Sequence, residues 1–388
     1  SGTNPVLKNV EVVNNSSMMF RNKIINGDMR IDQRNAGASV TPTGDAYTLD
    51  RWSTWVYQSS KFSVQQNAGS VTPPVGFSNY LGITSTSAYS VPANEGFAIT
   101  QKIEGYNVAD LGWGAAGALT VTLSFWVRSS LTGTFGGVIN NSAQSRSYPF
   151  TYEITLSNTW EYKTITIDGD TSGTWLTTNG TGFFVKFGLG VGSALSGTAG
   201  SWATANYASS TGATSVVGTS GATFYITGVQ LEEGTVATPF EHRPYGAELA
   251  LCQRYFQSVQ MSGIFLHPYH TTHALVNCPL FVPLRKASSV TISKTARIIR
   301  LTTQGVLDYW MDGTGGSQFS GGGDWGANMY INNNPNRDDT LSHLALRFYK
   351  SGSSDFPDQE PIQITGIVNS TNDNLDPNGG YFDIECEL

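Results

Sequence analysis

Charge is what this sequence has least of. Of 388 residues, 22 are Lys or Arg and 29 are Asp or Glu, 13% in all, where a globular protein usually carries about a quarter. The net charge is −7, so the basic stripe on which phosphate-backbone affinity rests is missing, and nucleic acid is not an expected partner. Cys252, Cys278 and Cys386 are too few and too dispersed for a disulfide framework or a zinc pattern. Stability must then come from burial or oligomerisation. No apolar run approaches the ~18 residues that would cross a bilayer, so membrane insertion is not expected either. What abounds is neutral: 43 Gly, runs of Ser, Thr and Asn, and 12% aromatic residues including 9 Trp. That many aromatics does not suit a disordered chain. The composition is that of a folded protein with a hydroxyl- and amide-rich surface.

Residues 1–20 are polar with weak alternation and read as a leader or docking segment. Residues 21–241 are almost wholly strand-like. Runs such as Leu119-Thr120-Val121-Thr122-Leu123-Ser124-Phe125-Trp126-Val127 and Tyr162-Lys163-Thr164-Ile165-Thr166-Ile167 alternate apolar and polar side chains. Many such strands, separated by Gly/Ser/Thr/Asn loops, predict an antiparallel jelly-roll β-sandwich. One helical signal stands out within 242–260. Pro244 and Glu248 suit a helix N-terminus, and Leu249, Cys252, Tyr255 or Phe256, and Val259 follow at spacings of three and four. Beyond it, 261–388 return to β patterning and predict a second β-sandwich-like domain, with residues 313–326 as a long Gly-rich loop. The expected fold is all-β, with one short linking helix.

Two sets of residues resemble a known family. Ile24-Ile25-Asn26-Gly27-Asp28-Met29-Arg30-Ile31-Asp32-Gln33-Arg34-Asn35 with Tyr47-Thr48-Leu49-Asp50-Arg51-Trp52 resembles the opening of a β-sandwich domain common in tailed-bacteriophage fibre and appendage proteins. Val229-Gln230-Leu231-Glu232-Glu233-Gly234 and Thr238-Pro239-Phe240-Glu241-His242-Arg243-Pro244 resemble its close, and the helix that follows resembles its tail. Pro283-Leu284-Arg285 is similar to a later strand signature, although the flanking Met and Pro are replaced. The likeness spans residues 24 to about 290. More loosely, the same motifs resemble carbohydrate-binding jelly rolls. The resemblance implies a homotrimeric receptor-binding protein of the virion, meeting host cell-surface glycan and joined to other virion proteins through its N-terminal segment.

Read as chemistry, most motif residues are structural. Asn26-Gly27 predicts a turn with Gly27 at positive φ. Asp50, Arg51, Glu232, Glu241 and Arg243 are scarce charges at motif positions and are expected to form ion pairs pinning the first and last strands. A calcium site at the Asn26-Gly27-Asp28 turn is the alternative, weakened because such jelly rolls usually add an Asp where this chain has Thr227-Gly228. Gly112, Gly114 and Gly117 match a dinucleotide fingerprint but precede a strand, which removes its meaning. Asn374, Asp376, Asn378 and Glu385 reproduce an EF-hand spacing without flanking helices. His267, His270 and His273 are metal candidates at a trimer axis; on one continuous strand, the first and last share a face and His270 points away. No cofactor is expected.

No nucleophile elbow appears, and Asp168 with Asp170, Asp308 with Asp312, and Asp338 with Asp339 read as turn clusters rather than a spaced hydrolytic pair. The chain is therefore not expected to be an enzyme. A glycan-binding surface needs aromatic platforms among amides and hydroxyls. Candidates are Trp175 and Trp202, together with Trp113, Trp160 and Tyr207, in polar segments of the first domain. In the second, Tyr309, Trp310, Trp325 and Tyr330 flank the Gly-rich loop, with Trp325 at its tip. Trp52, Trp55 and Trp126 are assigned to the core. Against the non-enzymatic attachment protein stand two alternatives, a polysaccharide depolymerase of the same appendage class and a purely structural virion spacer.

Overall fold

Two antiparallel sheets stack face to face because their strands alternate aliphatic and aromatic side chains with polar ones. The computed structural model of the chain describes residues 20–260 and, beyond them, a set of strands. The first sheet contains β1 (Ala46–Leu49), β2 (Trp52–Val56), β5 (Gly96–Glu104), β7 (Gly133–Asn141), β8 (Ser147–Ile154) and β10 (Thr181–Val191), in the order β1-β2-β5-β10-β7-β8. The second contains β3 (Phe62–Gln66), β4 (Leu81–Ser85), β6 (Val121–Ser129), β9 (Glu161–Ile167) and β13 (Thr223–Glu233), in the order β3-β4-β13-β6-β9. The chain repeatedly crosses from one sheet to the other, the habit of a jelly roll. A small parallel pair, β11 (Ser196–Gly197) and β12 (Ser209–Ser210), lies in the long loop before β13.

The core is the interdigitated inner faces. Phe183, Val185, Phe187 and Leu189 of β10 and Phe97, Ile99 and Ile103 of β5 meet Val121, Leu123, Phe125 and Val127 of β6. Phe125 packs edge-on against Phe187 at 5.0 Å, which locks one sheet to the other. On β13 the inward residues are Phe224, Ile226, Val229 and Leu231. The step of three from Ile226 to Val229 is possible because the pairing with β6 slips between Thr227 and Gln230, a bulge that restores the inward face.

Helix α1 (Tyr245–Gln253) is shorter than the sequence suggests, with Pro244 as its N-cap. Residues 256–260 are instead the strand β14 (Phe256–Gln260), paired with β23 (Tyr381–Glu385). The apolar residues of the run Phe256-Gln257-Ser258-Val259-Gln260 stand three apart, a helical spacing rather than a strand's alternation, so the strand here comes from pairing with β23 and not from the local pattern. The remaining strands are β15 (Phe265–His270), β16 (His273–Leu284), β17 (Thr291–Ser293), β18 (Ala296–Thr302), β19 (Gly305–Met311), β20 (Trp325–Tyr330), β21 (Leu341–Lys350) and β22 (Ile362–Ile367). They form a three-stranded sheet, β14-β23-β17, and a seven-stranded one, β19-β18-β22-β15-β16-β21-β20. Among the described residues the protein is thus nearly all β, with one α-helix. Among the described residues, no helix is long and apolar enough to cross a membrane.

Candidate functional site

The charges singled out in the sequence converge where the chain enters and leaves the sandwich. Arg243 is buried. Its Nη1 lies 3.3 Å from Glu248 Oε2 and donates to Ile24 O at 3.2 Å, and its Nη2 donates to Asn22 O and lies 3.3 Å from Glu241 Oε2. Glu241 in turn accepts from the backbone N–H groups of Phe20 and Asn22. Glu232 takes the Thr238 N–H at 2.8 Å and stands 3.6 Å from Arg21 Nε. These three residues do fasten the opening segment to the close. Asp50 and Arg51 make further contacts of their own. Asp50 accepts from the backbone and side-chain N–H groups of Gln33, at 2.7 and 2.6 Å. Arg51 donates to Lys102 O, and its guanidinium carbon lies 3.5 Å from the Tyr255 ring centroid.

The turn at Asn26-Gly27 also differs from expectation. Asn26, not Gly27, takes the left-handed conformation, with φ of 57°, and its amide holds Ile31 O and Asp50 O at 2.8 and 2.9 Å. Gly27 is needed for closeness instead: a Cβ there would stand 2.2 Å from Val229 O. Asp28 pairs with Arg30 at 3.0 Å; burial pushes its carboxyl up, and nearby Glu248 adds to the rise. Asp28 Oδ2 is thereby engaged by Arg30, and the Asn26 side-chain oxygen accepts the Ile31 N–H at 3.0 Å. Among the described residues, no group of three His, Cys, Asp or Glu is placed to hold a metal.

Sequence reasoning missed the fastening of the helix. Glu104, at the end of β5, accepts from Arg254 Nε and Nη2 at 3.0 and 2.8 Å and from the Tyr255 hydroxyl at 2.7 Å. Burial, with Glu104 alongside, drives the Tyr255 hydroxyl far above its ordinary range. Partners 150 residues apart leave no local signal.

The aromatic candidates are rearranged. Trp175 is 7% exposed and belongs to the core, packed edge-on against Trp113 at 4.9 Å and Trp202 at 5.5 Å. Its indole N–H closes a turn onto Ser172 O, so the expectation of an exposed Trp175 platform is corrected. Trp202 is half-buried on the same cluster, its N–H on Asp168 O and Arg146 at 6.0 Å from its ring. Tyr309 and Trp310 lie on β19, opposite Ile298 and Arg297. Trp325 opens strand β20 rather than tipping a loop, and Tyr330 closes that strand. His270 and His273 pair with each other across the β15–β16 connection, which replaces the single-strand parity expected of the three histidines. The side chains of Tyr309, Trp310, Trp325, Tyr330, His267, His270 and His273 lie outside the described residues, as do Asn374, Asp376 and Asn378 altogether. Glu385 stands on β23 opposite Phe256 and Thr291.

A different aromatic group occupies the outer face of the six-stranded sheet. Trp52, Thr54 and Val56 of β2 face the core, so Trp55 must face outward, and it is half-buried there. Its ring lies across β5: a Cβ on Gly96 would stand 2.5 Å from it. Tyr57 meets it edge-on at 5.3 Å and is 49% exposed. Across the face a register row runs Tyr47, Ser53, Thr100, Lys186, Val138, and Phe184 and Lys102 pair in the neighbouring row. The ammonium of Lys186 sits 5.1 Å from the Trp55 ring centroid and 5.3 Å from that of Phe184. Lys102 lies 5.9 Å from Phe184 and 5.8 Å from Tyr47. The result is a band of rings with cations set between them, closed on one side by the Gln144 amide, which accepts from Lys186 Nζ at 2.9 Å.

No family model and no curated protein matches the chain. Among solved structures, it is similar to the enzymatically active domain of tailspike protein 4 of bacteriophage CBA120, at 12% identity and a TM-score of 0.30 over 55% of this chain and 22% of that one. It is also similar to a putative sugar binding protein from Bacteroides thetaiotaomicron, at 11% identity and a TM-score of 0.32 over 55% of this chain and 100% of that one. A family 11 carbohydrate-binding module from Clostridium thermocellum follows, at 13% identity and a TM-score of 0.26 over 52% and 98%. The chain spans about a fifth of the tailspike's length. The sandwich itself stands on the strand pairing described above.

Lys186 carries a stability penalty that can be measured. It is 3% exposed, and burial, reinforced by Lys102 and opposed by Asp45, pushes its ammonium down to about 8. The unfolded chain, titrating near 10.4, binds more protons between those values. Stability from this residue therefore rises as pH climbs from about 8 to 10, and the penalty is complete below 8. Lys186→Met is expected to stabilise the protein at pH 7 by up to about 3 kcal/mol. The advantage over the parent should shrink as pH approaches 10, followed by urea denaturation at each pH.

Proposed function

We propose that this chain is a non-enzymatic virion appendage protein, of the tail-fibre or receptor-binding kind, that holds host-surface carbohydrate on the outer face of its six-stranded sheet. The observation that carries the reading is the band of Tyr57, Trp55, Phe184 and Tyr47. Sugar rings present apolar C–H faces to such rings, while the amides and hydroxyls beside them satisfy sugar hydroxyls. The scarcity of charge elsewhere suits a surface that meets a hydroxyl-rich polymer closely. Binding without hydrolysis is favoured because the buried carboxylates of the sandwich are already engaged: Asp28 by Arg30, Glu104 by Arg254, Asp170 by Arg146 and Glu248 by Arg243. Placement in a virion rests on the likeness of the opening and closing motifs to tailed-phage appendage domains. With it go a homotrimer and docking through residues 1–20.

Trp55→Ala is expected to weaken binding to a glycan-array hit at least ten-fold, roughly the contribution of one aromatic platform. Trp160→Ala, on the other sheet, should leave it unchanged. Equal binding by the Trp55→Ala variant and the parent would remove this face from the reading. Light scattering that gives a monomer at micromolar concentration would count against the trimer.

A further inference from the structure

The carbohydrate-binding reading leaves open which sugars fit, and Lys186 narrows them. A lysine pointing out of a sheet normally carries its ammonium to water along its flexible stem. Lys186 does not: its ammonium is enclosed between the Trp55 and Phe184 rings and donates to the neutral oxygen of Gln144, and to no carboxylate among the described residues. A buried cation without a counter-ion is rare, because desolvation must be offset by pairing. The groups facing it add to the anomaly. Lys102 on β5 is a second cation whose charge works against that of Lys186, while Asp45, ahead of β1, is exposed and already accepts the Val56 N–H at 2.7 Å. Among the described residues, the Lys186 ammonium is thus left with a neutral acceptor on a protein whose net charge is −7.

We propose that the aromatic face takes an acidic glycan, with a sugar carboxylate entering between the Trp55 and Phe184 rings to replace the Gln144 oxygen as the acceptor of the Lys186 ammonium. The proposal rests on the carbohydrate-binding reading and adds the ligand's charge to it. The rings supply stacking to any pyranose; the ammonium supplies a charge-assisted hydrogen bond to the acid alone. Gln144 sits in the turn between β7 and β8 with its side chain half-exposed, so it can leave without disturbing a strand.

The test uses the full chain and a panel of uronate- and sialate-containing polysaccharides, each paired with its carboxyl-reduced, neutral counterpart on the same backbone. The expected result is at least ten-fold tighter binding to one acid form than to its reduced partner at pH 7. That ratio should fall toward one at pH 9.5 and in Lys186→Met, while binding to the reduced form persists. Equal or tighter binding to reduced and neutral glycans overturns the acid preference and leaves the carbohydrate reading standing. No binding to any member of the panel overturns both. Acid preference that survives unchanged in a folded Lys186→Met variant overturns the assignment to this lysine.

Discussion

Replacing Arg243 with Ala is expected to destabilise the protein by about 3–5 kcal/mol, the usual cost of removing one partner from a buried ionic cluster. The substitution strips the shared cation from Glu241 and Glu248 and leaves the carbonyls of Asn22 and Ile24 without their donor. Two carboxylates would then face each other in a buried site with no positive charge between them. Arg243→Lys should recover little, since a single ammonium cannot reproduce a fork that reaches four acceptors in different directions. Urea denaturation followed by far-ultraviolet circular dichroism measures both. A shift of under 1 kcal/mol for Arg243→Ala would mean that the cluster merely decorates the junction.

The second large effect is expected at Trp52. It is fully buried on β2, packs 6.5 Å from Phe187, and its indole N–H donates to Asn26 O at 3.0 Å. Trp52→Ala combines a cavity with the loss of one of two donors to the Asn26 carbonyl, which also accepts the Met29 N–H at 3.2 Å, and should cost about 3–5 kcal/mol. Trp52→Phe separates the two contributions: the ring volume is mostly kept, the hydrogen bond is not, and about 0.5–1.5 kcal/mol is expected from the lost bond, since Asn26 O retains the Met29 N–H. If Trp52→Phe is as stable as the parent, the Met29 N–H alone satisfies the carbonyl and the indole N–H has no special role in setting the turn.

The contrast between Trp52 and Trp55 shows what could be read from sequence and what could not. Two residues three apart on one strand must point to opposite faces, so assigning both to the core contradicted the alternation already found in that stretch. The outer face could have been recognised from parity alone, as could Lys186, which stands between the inward Val185 and Phe187. Strand identity in β6 and β9 was legible because their alternation is regular. Helix α1 was legible at its start, where Pro244 and Glu248 act locally, and not at its end, where the choice of strand for residues 256–260 depends on the distant β23. The polar fastening of Glu104 to Arg254 and Tyr255 was invisible for the same reason. The roles of Glu232, Glu241 and Arg243 were legible because charge is so rare here that each instance marks a fixed position.

The junction has a mechanical consequence. The chain enters the sandwich at Phe20 and leaves it at Arg243, and the two passages are stitched directly: Phe20 and Asn22 to Glu241, Lys23 N to Leu231 O at 2.8 Å, and Asn22 O to Arg243. Tension applied between the segment before Phe20 and the strands after the helix is therefore shared by these contacts and the bonds of Arg254 and Tyr255 to Glu104. A pull on the ends would strain the Arg243 clasp and the Glu104 fastening together, one at each side of the helix.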